Sequence, residues 1–103
     1  MQTDQRFPEG EVFVVVEPQV VFDPEGLARY QAAAREQATR RGAQVIARGG
    51  ALYEGDPDLL LHLIQRWPSA RAFQEWQESE EYRPLLEERK KYMKVRISIV
   101  PAA

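Results

Sequence analysis

The chain contains no cysteine among its 103 residues. Thiol nucleophiles, disulfides, iron–sulfur clusters and cysteine zinc sites are therefore excluded. Histidine occurs once, at His62, so a two-histidine metal motif is impossible within one chain. Nothing marks a carboxylate-only site either, and neither metal nor cofactor is expected. An excess of one charge is also missing. Fourteen basic residues stand against 16 acidic ones, for a net charge of −2. That balance gives no electrostatic reason to expect nucleic acid or an anionic membrane as partner. No apolar run approaches the ~20 residues of a spanning helix. The opening MQTDQRFPEG has no apolar signal core, so a cytoplasmic protein is the expectation.

What remains is an ordinary globular composition, 44% hydrophobic and 29% charged. The length suits one domain. Residues 1–10 read as a flexible arm and 11–103 as a single folded unit. A chain of this size buries about 65% of the surface its unfolded form exposes, enough for one core but with little room for a deep pocket.

EVFVVVE at 11–17 is β-branched, short and closed by Pro18, which predicts a strand. Asp23 is an N-cap candidate, Pro24 suits the first helical position, and Glu25 favours the positive end of the dipole. Leu27, Tyr30, Ala34 and Ala38 then recur along one helical face. Arg40 and Arg41 suit the last turn, and Gly42 the left-handed position beyond it. AQVIARGGALYEGD at 43–56 predicts a second strand with a bulge or bend at Gly49-Gly50. These glycines lead into more strand-like sequence rather than into a helix, so a phosphate loop is not indicated.

LLLHLIQRW at 59–67 is the third strand. Pro68-Ser69 opens a second helix carrying Ala72, Phe73 and Trp76. Pro84 lacks an amide hydrogen and must break or kink that helix near 78–83. PLLEERKKY resumes it, its EERKK run reading as a solvated helix end. KVRISIVP, closed by Pro101, is the last strand. The order β-α-β-β-α-β is the ferredoxin-like plan, an α+β fold with a four-stranded antiparallel sheet and two helices on one face.

Such a sheet normally wets its second face. Here Val12, Val14 and Val16 point one way while Phe13 and Val15 point the other. Leu59, Leu61 and Leu63 likewise oppose Leu60, His62 and Ile64. An apolar second face calls for a cover, and a second copy of the same face is the simplest one. A homodimer stacked sheet to sheet is expected. RNA-recognition domains share this topology but stack bases on strand aromatics. The third strand carries no aromatic before Trp67, which argues against nucleic acid.

Arg48-Gly49-Gly50, Glu54-Gly55, Trp67-Pro68-Ser69 with Ala72, then Trp76, Ser79, Glu81, Tyr82 and Arg89 form an ordered set. This set resembles the bacterial family called domain of unknown function 1330, of the dimeric α+β barrel superfamily. The resemblance covers about residues 11–100. It implies a ferredoxin-like fold and a dimer whose two sheets form a barrel-like core. The family carries no established activity. Its superfamily includes cofactor-free oxygenases, haem-degrading enzymes, lactone isomerases and small-molecule sensors, which is analogy by fold.

Several residues are candidates for chemistry. Tyr82, Leu86 and Arg89 share one helical face. An arginine on an apolar face needs an acceptor. That acceptor is either internal, the carboxylate of Glu81 or Glu54 or a helix-end carbonyl, or the carboxylate of a ligand. Trp76 and Tyr82 flank the helix break, as core aromatics or as the wall of a pocket between sheet and helices. Arg48 reaches either a ligand or a dimer partner. His62, Tyr82 and Glu54 are the only suspects for proton transfer. Alternation places His62 beside Ile64, in reach of Arg96 or Ser98 if the mixed faces of the two strands coincide. Three functions follow: a binding or sensing module, a cofactor-free enzyme on a small aromatic or carboxylate substrate, and a structural dimer without a site.

Overall fold

The structure, a computed structural model, describes residues 7–56 and 62–102. Its elements run β1 (Val12–Val21), α1 (Pro24–Arg40), β2 (Gln44–Gly49), β3 (His62–Trp67), α2 (Ala70–Gln77), α3 (Arg83–Tyr92) and β4 (Met93–Pro101). The four strands form one antiparallel sheet in the order β2-β3-β1-β4. This is the ferredoxin-like α+β arrangement that the sequence predicts, with its second helix in two pieces.

Local chemistry explains the elements. The Asp23 carboxylate accepts from the Gly26 amide at 3.0 Å and caps α1, with Pro24 behind it. Gly42, at φ +97°, turns the chain out of α1 into the sheet. The Ser69 hydroxyl caps α2 through the Ala72 amide at 3.0 Å. Ser79 then bridges the helix break. Its hydroxyl donates to the Trp76 carbonyl at 2.7 Å and accepts from the Tyr82 amide at 3.1 Å. Backbone groups freed by the break are thus satisfied before α3 begins at Arg83-Pro84.

Two expectations need correction. β1 does not stop before Pro18 but runs to Val21, with the proline beside a register shift against β4. A bulge tolerates a residue without an amide hydrogen. β2 ends at Gly49 instead of running to residue 56. The chain turns off at Gly49 (φ +83°) and Gly50 (φ +151°) into exposed, irregular backbone. A strand cannot continue through two such angles. The predicted strand residues 59–61 lie outside the described residues.

Period-two alternation divides the sheet as expected. Val12 and Val14 are fully buried against the helices. With them pack Trp67, Phe73, Trp76 and Tyr82, and Phe7 joins this core from the N-terminal side. Trp67 stacks on Trp76 at 5.4 Å between centroids, with Phe73 edge-on to both. The opposite face carries Phe13 and Val15, with Ile64 directly across from Val15, and among the described residues no helix packs over it. Among the described residues, no helix is long and apolar enough to cross a membrane.

Candidate functional site

A cavity of about 630 Å³ lies between the helix-facing side of the sheet and the helices. Contrary to the expectation from chain length, a private pocket does form. Its floor is apolar: Val16 of β1, Leu63 of β3, and Met93 and Ile97 of β4. Leu27 and Ala34 of α1 make one wall, and Phe73 and Trp76 of α2 another. The small side chain of Ala34, on the buried stripe of α1, leaves this space open; a larger residue there would fill it. The volume falls within the range of small-molecule sites, roughly 300–1,000 Å³.

Polar groups converge at one end. The break between α2 and α3 lets Tyr82 enter the core, where it has no exposed surface. Its ring lies 4.5 Å from that of Trp76. Arg89, two turns along α3, donates from Nη1 to the Tyr82 hydroxyl at 2.9 Å and to Gln77 Oε1 at 3.2 Å. Its guanidinium sits 5.9 Å from the Tyr82 ring centroid. The Tyr82 hydroxyl also bonds that of Tyr30, which reaches in from α1.

The internal ion pair considered for Arg89 is not formed. Glu81 turns outward to Arg40 and Arg41, at 2.6 and 3.4 Å. Glu54 lies in the exposed segment after β2. No carboxylate is found within ion-pair distance of Arg89 among the described residues. Its partners inside the protein are a phenol and an amide. Among the described residues, the cavity lining contains no aspartate or glutamate either. A cation with neutral partners beside an apolar cavity favours an anion there.

Burial, with the Tyr82 hydroxyl next to it, pushes the Tyr30 phenol well above its ordinary range, and Arg89 only partly opposes this. Tyr30 therefore keeps its proton at neutral pH. It acts as a hydrogen-bond donor rather than as a base.

The other candidates separate. Arg48 stands opposite Leu63 on the helix-facing side of the sheet and lines the cavity. Trp76 lines it too, with its indole Nε1 held by Gln37 Oε1 at 3.0 Å. Tyr82 is not itself in the lining, but its neighbours Tyr30, Trp76 and Arg89 are. His62 contributes to the rim, but its Nδ1 lies 3.8 Å from the Glu17 carboxylate on the opposite sheet face. Arg96 pairs with the same carboxylate at 3.1 Å. His62 and Arg96 thus share a face, joined by a glutamate to which the sequence assigned no role. Glu54 is remote from this group. Among the described residues, no cluster of three histidine or acidic side chains could hold a metal.

Tyr30, Gln77, Gln31, Arg35 and Gln65 are polar cavity groups that sequence reasoning passed over. In the sequence Tyr30 reads only as part of an apolar stripe. The available signal was its hydroxyl, since a phenol on a buried stripe needs a partner.

The family model described as "Domain of unknown function (DUF1330)" matches residues 11–103. The chain belongs to this family. No curated protein matches the DUF1330 chain by sequence. Solved structures do. A protein of unknown function from Rhodopseudomonas palustris is 20% identical, with a TM-score of 0.73 over 93% of this chain and 85% of that one. SnoaB, a cofactor-independent oxygenase from Streptomyces nogalater, is 19% identical, with a TM-score of 0.67 over 91% and 94%. A putative antibiotic biosynthesis monooxygenase from Caulobacter crescentus is 14% identical, with a TM-score of 0.63 over 96% and 95%. At these identities the likeness establishes the fold that the DUF1330 chain shares with them, not a chemistry.

Proposed function

We propose that this DUF1330 protein is a homodimeric binding module for a small, largely apolar, anionic metabolite held between sheet and helices. One observation carries the reading. Arg89 reaches an apolar cavity of about 630 Å³ without a carboxylate partner among the described residues. A structural dimer without a site has no need of such a space. Interiors otherwise fill to crystal-like density.

The dimer rests on the uncovered sheet face. Phe13, Val15 and Ile64 form its apolar centre. Arg66 and Glu11 border it at one end, and Glu17, His62 and Arg96 at the other. An apolar centre with a charged border is the usual anatomy of an interface between copies.

A cofactor-free enzyme on the same ligand is the second reading. The fold shared with a cofactor-independent oxygenase favours it. The cavity favours binding instead: among the described residues no carboxylate lines it, its tyrosine holds its proton, and the nearest histidine is engaged by Glu17. Native mass spectrometry of freshly purified protein tests both parts. The expected spectrum shows a dimer with a co-purifying small acid. A monomer at micromolar concentration would refute the dimer. A cavity that accepts no acid from a screened set would refute the binding role.

A further inference from the structure

We propose that the Tyr30 hydroxyl is the hydrogen-bond donor that receives the ligand's anionic oxygen, aimed into the cavity by a relay running from Arg89 through Tyr82. The ligand class that follows is a monocarboxylate with a flat aromatic or alicyclic body. This deepens the reading above and rests on it.

The direction of the relay comes from proton bookkeeping. Tyr82 has no exposed surface. Its oxygen accepts from Arg89 Nη1 at 2.9 Å. Its own hydrogen still needs an acceptor, because an unsatisfied buried hydroxyl is costly. Among the described residues, the Tyr30 oxygen is the only acceptor found against it. Tyr82 therefore donates and Tyr30 accepts.

Tyr30 is left with one hydrogen and no protein acceptor found for it among the described residues. Unlike Tyr82, it lines the cavity. Arg89 spends Nη1 on Gln77 and Tyr82, so Nε and Nη2 remain for a second oxygen. The Arg89 guanidinium also acts on the Tyr30 hydroxyl directly, so the two donors stand close together. A carboxylate fits this pair, one oxygen on the phenol and one on the guanidinium. Each bond in the chain polarises the next, so the terminal hydroxyl is a stronger donor than an isolated phenol. The raised pKa of Tyr30 keeps that hydrogen in place at neutral pH. The walls decide the rest of the ligand. Phe73 and Trp76 on one side and Leu27 and Ala34 on the other suit an apolar ring.

The probes are 2-naphthoate and its neutral carboxamide, titrated by NMR into the purified wild-type protein, Tyr30→Phe and Tyr82→Phe. Wild type should prefer the acid. Tyr30→Phe keeps the ring and the wall, and should lose about tenfold or more in naphthoate affinity with a much smaller change for the amide. Tyr82→Phe keeps the Tyr30 hydroxyl but removes its aim, and should lose a smaller factor. If wild type binds naphthoate and Tyr30→Phe binds it equally well, the relay is wrong while the cavity reading stands. If neither probe binds wild type at millimolar concentration, both fall. Should Tyr30→Phe fail to fold, 3-fluorotyrosine labelling of the wild-type sequence gives an independent readout. The Tyr30 fluorine resonance must move with naphthoate, and a resonance unmoved at saturation would overturn the proposal.

Discussion

Arg40 and Glu81 meet at 2.6 Å across 41 residues of chain, joining the last turn of α1 to the break between α2 and α3. Glu36 completes the group, holding the same guanidinium at 2.8 Å from one turn back. This exposed cluster commits Glu81 to the surface. That commitment leaves Arg89 with neutral partners.

The cluster makes a pH prediction. The hydrogen bond from Arg40, with help from Arg41, holds the Glu81 carboxylate below its ordinary value of 4.5. A carboxylate depressed in the folded state adds stability above its unfolded value and loses it as pH falls through the folded one. Glu81→Gln should therefore lower Tm slightly at about pH 6, and the gap from wild type should close toward about pH 3. Thermal melts of both proteins across that range provide the check. A gap that widens in acid would contradict the pairing.

Arg89→Leu separates a ligand clamp from a structural ion pair. Breaking a buried pair leaves a charge stranded and costs about 3–5 kcal/mol. No carboxylate is stranded here among the described residues, so the substitution should cost clearly less by urea denaturation. It should also abolish naphthoate binding. A loss of several kcal/mol would mean that a carboxylate partner exists after all.

The two sheet faces respond differently to charge. Val14 is fully buried under the helices. Val14→Asp should unfold the chain, since an unpaired carboxylate there exceeds what a marginally stable domain tolerates. Val15 points to the uncovered face. Val15→Asp should keep native circular dichroism but run as a monomer in size-exclusion chromatography with light scattering. A Val15→Asp dimer would place the interface elsewhere.

Trp67 is the hub of the aromatic core, fully buried, with its indole Nε1 donating to Gln65 Oε1 at 3.0 Å. Trp67→Ala should cost about 3–5 kcal/mol through the cavity it leaves. Trp67→Phe should cost less, although Gln65 then loses its donor in a buried place. Denaturant midpoints of the two variants, at unchanged slope, measure the difference.

The element order, the cap at Asp23, the helix opening at Pro68-Ser69, the helix break before Pro84 and the two apolar faces of the sheet were all legible in the sequence. These are local matters: a side chain against its own backbone, or the period of a repeat. The end of β2 escaped because the backbone angles of Gly49 and Gly50 decide it, and glycine permits both continuation and departure. Tertiary structure alone decided the partners. Whether Glu81 faced Arg89 or Arg40 depended on how α1 crosses the helix break, which no spacing along the chain encodes. Tyr30 and Tyr82 stand 52 positions apart. A helical stripe shows that Tyr30 points inward, but only the packing of α1 beside the α2–α3 break brings its hydroxyl to the relay and leaves a cavity in front of it.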